Sequence, residues 1–178
     1  MAKFERVKRF EGDESIQLPQ RATKNSAGYD FCVAEDTIIP SLPQKYYNGG
    51  KFVPRLAVVG LDDAADYIKS MGIKPVLVPT GIKCKLESNT YLELSVRSST
   101  PLKYLLVLAN GVGIIDADYY GNPSNDGEIF FQMINLGPNP VRLKKGDKIG
   151  QGIIKPYLIT EDDIADGERQ GGFGSTTN

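Results

Sequence analysis

The residues with the greatest chemical capacity lie between Asn110 and Gly121, in the run Asn-Gly-Val-Gly-Ile-Ile-Asp-Ala-Asp-Tyr-Tyr-Gly. Two carboxylates, Asp116 and Asp118, and the aromatic pair Tyr119 and Tyr120 stand between glycines in an otherwise apolar setting. Gly111, Gly113 and Gly121 permit sharp bends and close approach of backbone to a ligand, while Val112, Ile114 and Ile115 are expected to anchor the flanks by burial. Asp116 then sits at a turn, where a carboxylate either solvates a hairpin bend or does chemistry. Taken alone, the segment leaves both readings open.

The chain contains no histidine. Without imidazole, Ser–His and Cys–His nucleophile pairs and the common zinc hydrolase sites are excluded. A general base must be a carboxylate, lysine, tyrosine or thiolate. Aspartate and glutamate suit the task best, acting on a water held by geometry or by a hard metal ion.

Composition narrows the setting for that chemistry. At 178 residues, 40% hydrophobic and 24% charged, the chain fits one domain with a sizeable core. The formal net charge of -1 gives no general pull toward nucleic acid, so direct nucleic-acid binding is not expected and a polyanionic ligand must be gripped by locally placed cations and amides. Cys32 and Cys84 are far apart and carry no metal-site spacing, the pattern of reduced thiols in a cytoplasmic protein. The opening residues Met1 to Phe10 alternate charge with bulk, and no later run reaches membrane-spanning length, so a cytoplasmic location without membrane contact is expected.

The elements that must position these residues are mostly short β-strands. Runs at Val76 to Val78, Gly81 to Leu86, Thr90 to Val96, Leu105 to Leu108, Ile129 to Ile134 and Lys148 to Ile154 are β-rich and punctuated by Gly, Pro and Asn, as in a sandwich or small barrel. Residues Gln44 to Val53 read as a hairpin with an Asn48-Gly49 turn. From Leu61 to Met71 the apolar residues Leu61, Ala64, Ala65, Ile68 and Met71 follow helical spacing, with Asp62 and Asp63 at the start and Gly72 and Pro75 beyond the end. A second, shorter helical candidate spans Glu161 to Gly167. The tail from Arg169 to Asn178 surrounds one aromatic with glycines and hydroxyls; it cannot pack a core, and is built either as a frayed end or as a phosphate-closing flap.

Taken together, these islands resemble the trimeric dUTP pyrophosphatase (dUTPase) family, whose short motifs occur here in order. Ala27-Gly28-Tyr29-Asp30-Phe31 is similar to the first motif, Val96-Arg97-Ser98-Ser99-Thr100 to the second, and Asn110 to Gly121 to the third. Lys145-Gly146-Asp147-Lys148-Ile149-Gly150-Gln151 is similar to the fourth, and Gly171-Gly172-Phe173-Gly174-Ser175-Thr176 to the fifth. The resemblance implies a mostly β fold, a distorted jelly roll or β-barrel with a short inserted helix, assembled as a homotrimer. Residues 1–168 would form the β domain, with an insertion at about 44–74, and residues 169–178 a flexible flap closing a neighbouring subunit's site.

The resemblance also implies roles. The enzyme would hydrolyse dUTP to dUMP and pyrophosphate, with Asp116 orienting the water that attacks the α-phosphorus. Asn110 and the backbone at Gly113, Ile114 and Ile115 would line a uracil pocket formed by a β-hairpin, with Phe130 at its rim and Tyr119 against the deoxyribose. Arg97, Ser98, Ser99 and Gln151 would bind phosphate, and Asp30 would steady hydrated Mg²⁺ through water. From the flap, Phe173 would stack on uracil while Arg169, Gly174 and Ser175 reach phosphates. Several features depart from the family pattern: a longer stretch between Asp30 and Arg97, a longer loop Asn122 to Gly127, and Arg169 one residue nearer the flap phenylalanine. Two alternatives accompany this reading. One is a dCTP deaminase-like enzyme of the same fold; the other is a regulatory protein on the dUTPase scaffold that binds a protein partner through the 44–74 insertion.

Overall fold

A computed structural model describes residues 1–41, 47–48, 51–52, 74–167, 169 and 171–172. The central element is a five-stranded antiparallel sheet. Its edge strand β11 (Gly113–Ile115) pairs with β9 (Thr90–Val96), followed in order by β14 (Lys148–Pro156), β3 (Tyr29–Cys32) and β2 (Gln20–Arg21). A three-stranded sheet faces it, with β12 (Phe130–Asn135) between β10 (Leu106–Leu108) and β7 (Val76–Pro79). Two-stranded ribbons complete the described strands: β1 (Lys3–Arg6) with β8 (Ile82–Lys85), β4 (Thr37–Ile39) with β13 (Val141–Leu143), and β5 (Tyr47–Asn48) with β6 (Lys51–Phe52). The mostly β class expected from the sequence is the class found.

Alternation explains why β9 takes its place. Leu92 and Leu94 point into the core and are buried, while Tyr91, Glu93 and Ser95 face the other way. At the centre of the sheet, β14 places Gly150 and Gly152 on the core face. A Cβ at Gly150 would lie 2.0 Å from the Phe131 ring, and one at Gly152 would lie 2.8 Å from Phe31. The glycines let these two fully buried rings rest on the backbone, with ring centroids 5.7 Å apart. Both cysteines are free; Cys84 is buried among these apolar groups, which pushes its thiol pKa up to about 12.

The structure differs from the sequence-based expectations at several points. A six-residue helix, α1 (Ser99–Tyr104), follows β9 where only a strand end was expected. Pro101 is tolerated there because the amides of a first helical turn have no partner to lose. Residues Glu161 to Gly167 form a turn and irregular chain, not a helix. In the expected hairpin Tyr47 pairs with Phe52 and Asn48 with Lys51, while positions 49 and 50 lie outside the described residues. The helix expected over 61–71 lies outside the described residues. Among the described residues no helix is long and apolar enough to cross a membrane.

The N-terminal segment is fastened to the far end of the site. Glu128 is buried, and its carboxylate accepts two hydrogen bonds from Arg9, at 2.7 and 2.9 Å, and one from the Gly81 N–H at 2.9 Å. Such a pair costs desolvation but holds the strand entering the core in one register.

The packing of β14 makes Gly150→Ala a severe test of the core. Because Phe131 has no free space to turn into, the substitution should cost about 3 kcal/mol, read as a lower denaturant midpoint at unchanged slope. A loss below about 1 kcal/mol would show that the ring does not rest on the backbone at that point.

Candidate active site

The third motif builds its site by splitting, not by folding back as a hairpin. β10 pairs with β12 in one sheet and β11 pairs with β9 in the other, so the two arms around Asn110 do not pair with each other. A tight turn connects them: the Gly111 N–H donates to the Leu108 carbonyl at 3.2 Å, the Val112 N–H donates to the Asn110 carbonyl at 2.8 Å, and Gly111 takes φ +72°. Where the sheets diverge, a cavity of about 250 Å³ opens. Asn110, Gly113, Ile114, Ile115, Asp116, Tyr119 and Phe130 all line it.

Strand chemistry sets its walls. Gly113 lies against Leu94, where a Cβ would approach the leucine side chain to 3.2 Å, a contact tighter than a side chain ordinarily makes. β11 is the edge of its sheet, and its outer row of N–H and C=O groups takes no strand partner among the described residues. Val112 and Ile114 are 44% and 50% exposed, contrary to the expectation that they anchor the segment by burial. An edge strand of three residues turns alternate side chains outward, and only Ile115 packs on the core.

Three lining residues carried no chemical signal in the sequence: Leu94, Leu108 and Gln132. Leu94 comes from β9, and Leu108 from β10 just ahead of the motif. Gln132 interrupts the apolar run Phe130-Phe-Gln-Met-Ile, and it shares the non-core face of β12 with Phe130. A polar residue inside an apolar strand was the available hint.

Asp116 ends β11 and precedes a 3-10 turn, Ala117–Tyr119, that swings Tyr119 back into the protein. Tyr119 is 5% exposed; its hydroxyl donates to the Glu128 carbonyl at 3.2 Å and accepts from the Asn125 amide at 2.6 Å. Burial raises its phenol pKa above the ordinary value, against the Asn125 hydrogen bond, so the ring stays neutral.

Arg169 crosses the mouth of this cavity. Its guanidinium pairs with Asp116 and, at 2.8 Å, with Asp118, and it stands 5.9 Å from the centre of the Tyr119 ring. Burial works to lower its pKa, but Asp118 and Asp116 outweigh it and hold the pKa above the usual value. Gly172 follows against the same ring, where a Cβ would lie 2.8 Å from Tyr119 Cε2. In this chain the partners of Arg169 are the chain's own carboxylates. Phe173, Gly174 and Ser175 lie outside the described residues.

The remaining motif residues gather at a second place. Asp30 accepts from Lys148 Nζ at 2.7 Å and lies 3.5 Å from Arg97 Nε. Gln151 pairs with Asp30 across β14 and β3, beneath Gly28. Ser98 caps α1 without a side-chain hydrogen bond, and Arg97, Ser99 and Lys148 share a cavity of about 460 Å³ with Lys103 and Arg142. Lys103 and Arg142 were not among the predicted residues.

The two places lie at opposite ends of β9. Ile115 stands opposite Leu92, so Asp116 falls beside Tyr91, whereas Arg97 follows the last residue of the strand. Six residues of extended chain separate those ends by about 20 Å. Among the described residues no group of three or more His, Cys, Asp or Glu could hold a metal. A single carboxylate already paired with Lys148 and Arg97 suits an ion that keeps its waters and is held chiefly by a ligand's phosphates.

Comparison with known proteins places this arrangement. The dUTPase family profile matches residues 58–177. The chain is 37% identical over 175 residues to the deoxyuridine 5'-triphosphate nucleotidohydrolase of Lactococcus lactis, covering 97% of this chain and 95% of that one. It also superposes on the crystal structure of dUTPase from Streptococcus mutans with a TM-score of 0.68 at 37% identity, covering 89% of this chain and 98% of that chain. A mutant dUTPase from phage phi11 of S. aureus, described with a structural Mg(II) ion, shares the fold at a TM-score of 0.60 and 16% identity, over 94% of this chain and 97% of that one. The chain belongs to the dUTPase family.

The ion pairs of Arg169 hold the C-terminal segment onto the site. Replacing both Asp116 and Asp118 by Asn should speed tryptic cleavage after Arg169 about fivefold, since two partly exposed pairs are worth about 1 kcal/mol together. Raising the salt concentration should do the same to the unaltered protein. Unchanged cleavage in both experiments would show that the pairs do not hold the segment.

Proposed function

We propose that the chain is a dUTP diphosphatase that hydrolyses dUTP to dUMP and pyrophosphate, keeping uracil out of DNA. The observation that carries this reading is the cavity between the two sheets, with a strand edge that has no strand partner among the described residues on one wall and a carboxylate at its mouth. The outer N–H and C=O groups of β11, which take no strand partner among the described residues, are suited to pair with a flat base as a complementary base would, and the close approach of Gly113 to Leu94 suits a narrow pocket that would disfavour the thymine methyl. At about 250 Å³ the cavity is smaller than the ~300–1,000 Å³ of typical whole-ligand sites, which suits the nucleoside end of the substrate alone.

The chemistry follows from the positions of the charges. Asp116, at the end of β11, orients a water toward the α-phosphorus and accepts its proton as the bond to the leaving pyrophosphate lengthens. Arg97, Ser98, Ser99 and Gln151 hold the phosphate chain and offset the charge that builds on it. One chain keeps these donors about 20 Å from its own Asp116, so a second copy must supply them. This separation supports a homotrimer with sites shared between subunits. Asp30 would hold a hydrated Mg²⁺ through water, and the ion would supply further charge neutralisation on the phosphates.

Arg169 takes part by exchange. Its two carboxylate partners are solvent-exposed, at 49% and 57%, and a triphosphate offers a guanidinium denser charge and bidentate geometry. When Arg169 turns to phosphate, Asp116 is released to hold water, and Phe173, Gly174 and Ser175 close over the nucleotide.

Pyrophosphate release from dUTP, dTTP, dCTP and UTP tests the reading: only dUTP should be turned over efficiently, and no ammonia should be released from dCTP. Asp116→Asn should lower kcat at least about a hundredfold, the scale of a lost general base, while nucleotide binding persists. Turnover of Asp116→Asn at the unaltered rate would contradict the assignment of the base.

A further inference from the structure

We infer that Asn125 is a positioning residue for Tyr119, and that the long loop Asn122 to Gly127 thereby sets discrimination against the ribose 2′-hydroxyl. The inference rests on the proposed place of Tyr119 against the deoxyribose. Rejection by shape requires a wall that does not yield. A ring free to tilt would admit a single added hydroxyl, because apolar contact alone discriminates weakly against such a group.

In this chain the outer end of the Tyr119 ring is fixed from two sides. The Asn125 Nδ2 donates to the phenol oxygen at 2.6 Å, and the phenol donates onward to the Glu128 carbonyl at 3.2 Å. Asn125 is itself held, since its Oδ1 accepts the Gly127 N–H at 3.0 Å and its backbone carbonyl accepts the Glu128 N–H at 3.1 Å. Gly127 takes φ +78°, and a Cβ there would lie 2.6 Å from the Tyr119 carbonyl oxygen, so the loop packs against the backbone of the residue it braces.

The loop is also pinned from outside the site. Asp126 accepts from the Lys8 N–H at 2.8 Å and from Lys83 Nζ at 2.9 Å, and Glu128 is gripped by Arg9. A path of hydrogen bonds and ion pairs thus runs from the N-terminal segment through Asp126 and Asn125 to the ring that faces the cavity. Asn125 touches no cavity surface itself; it acts through Tyr119.

The test measures kcat/KM for dUTP and for UTP in Asn125→Ala, Tyr119→Phe, their double variant, and Tyr119→Ala. Asn125→Ala should lower the dUTP-to-UTP ratio about tenfold, the scale of one lost hydrogen bond. Tyr119→Phe, which removes both the Asn125 and the Glu128 hydrogen bonds of the phenol, should lower it at least as much, and the double variant no further than Tyr119→Phe alone, because the Asn125 tether is already gone. Additive losses would overturn the inference, showing that Asn125 acts through the loop rather than through the phenol. An unchanged ratio in Asn125→Ala, with a lowered ratio in Tyr119→Ala, would overturn it while leaving the sugar contact intact. An unchanged ratio in Tyr119→Ala would instead refute the placement of the sugar. Should Asn125→Ala fail to fold, Tyr119→Phe leaves the loop in place, and an unchanged ratio there overturns the inference by itself.

Discussion

The antiparallel pairing of β11 onto β9 is the constraint from which the site follows. Gly113 opposite Leu94 and Ile115 opposite Leu92 fix which way the third motif runs along the strand. Because β9 continues directly into Arg97 and α1, the same pairing sends Asp116 to one end of the strand and the basic residues to the other. A shift of one residue would turn Gly113 away from Leu94 and close the cavity with a side chain. The register therefore decides both the shape of the pocket and the distance between Asp116 and the basic residues beyond β9.

Around that pairing, the rest of the molecule acts as support. The glycines of β14 allow Phe31 and Phe131 to fill the space beneath the sheet, which keeps β9 from moving toward the core. On the opposite sheet, β10 and β12 carry Leu108, Phe130 and Gln132 to the far wall of the cavity. The N-terminal segment fastens the loop after Tyr119 through Arg9 and Lys8, so a chain end distant in sequence stabilises a residue at the site. Rigid walls on three sides and an ion-paired arginine on the fourth give a cavity whose mouth alone is free to rearrange.

Much of this was legible in the residues. β-branched and aromatic alternation located β9 to the residue, and the motif run from Asn110 to Gly121 supplied the cavity-lining residues from Asn110 to Tyr119. Local pattern failed where tertiary context decides. No periodicity marked Ser99 to Tyr104 as a helix, yet a short helix forms there and its first turn accepts Pro101. Val112 and Ile114 read as buried because apolar residues are usually covered, yet an edge strand leaves one side open. The two arms of the third motif read as a hairpin, since nothing in their sequence tells that each pairs into a different sheet. Leu94 could not be seen as a site residue because its proximity depends on the pairing of β9 with β11, and the ion pairs of Arg169 with Asp116 and Asp118 span more than fifty residues.

The central claim, that one chain carries two halves of a site it cannot close alone, is tested most directly by mixing two inactive variants. Arg97→Ala lacks the phosphate grip and Asp116→Asn lacks the base; each alone should be inactive on dUTP. Refolded together in equal amounts, they should recover about a quarter of the unaltered rate, the fraction of statistically assembled sites that draw an intact half from each subunit. Absence of any recovery in verified mixed oligomers, or full activity in an isolated single chain, would contradict the account.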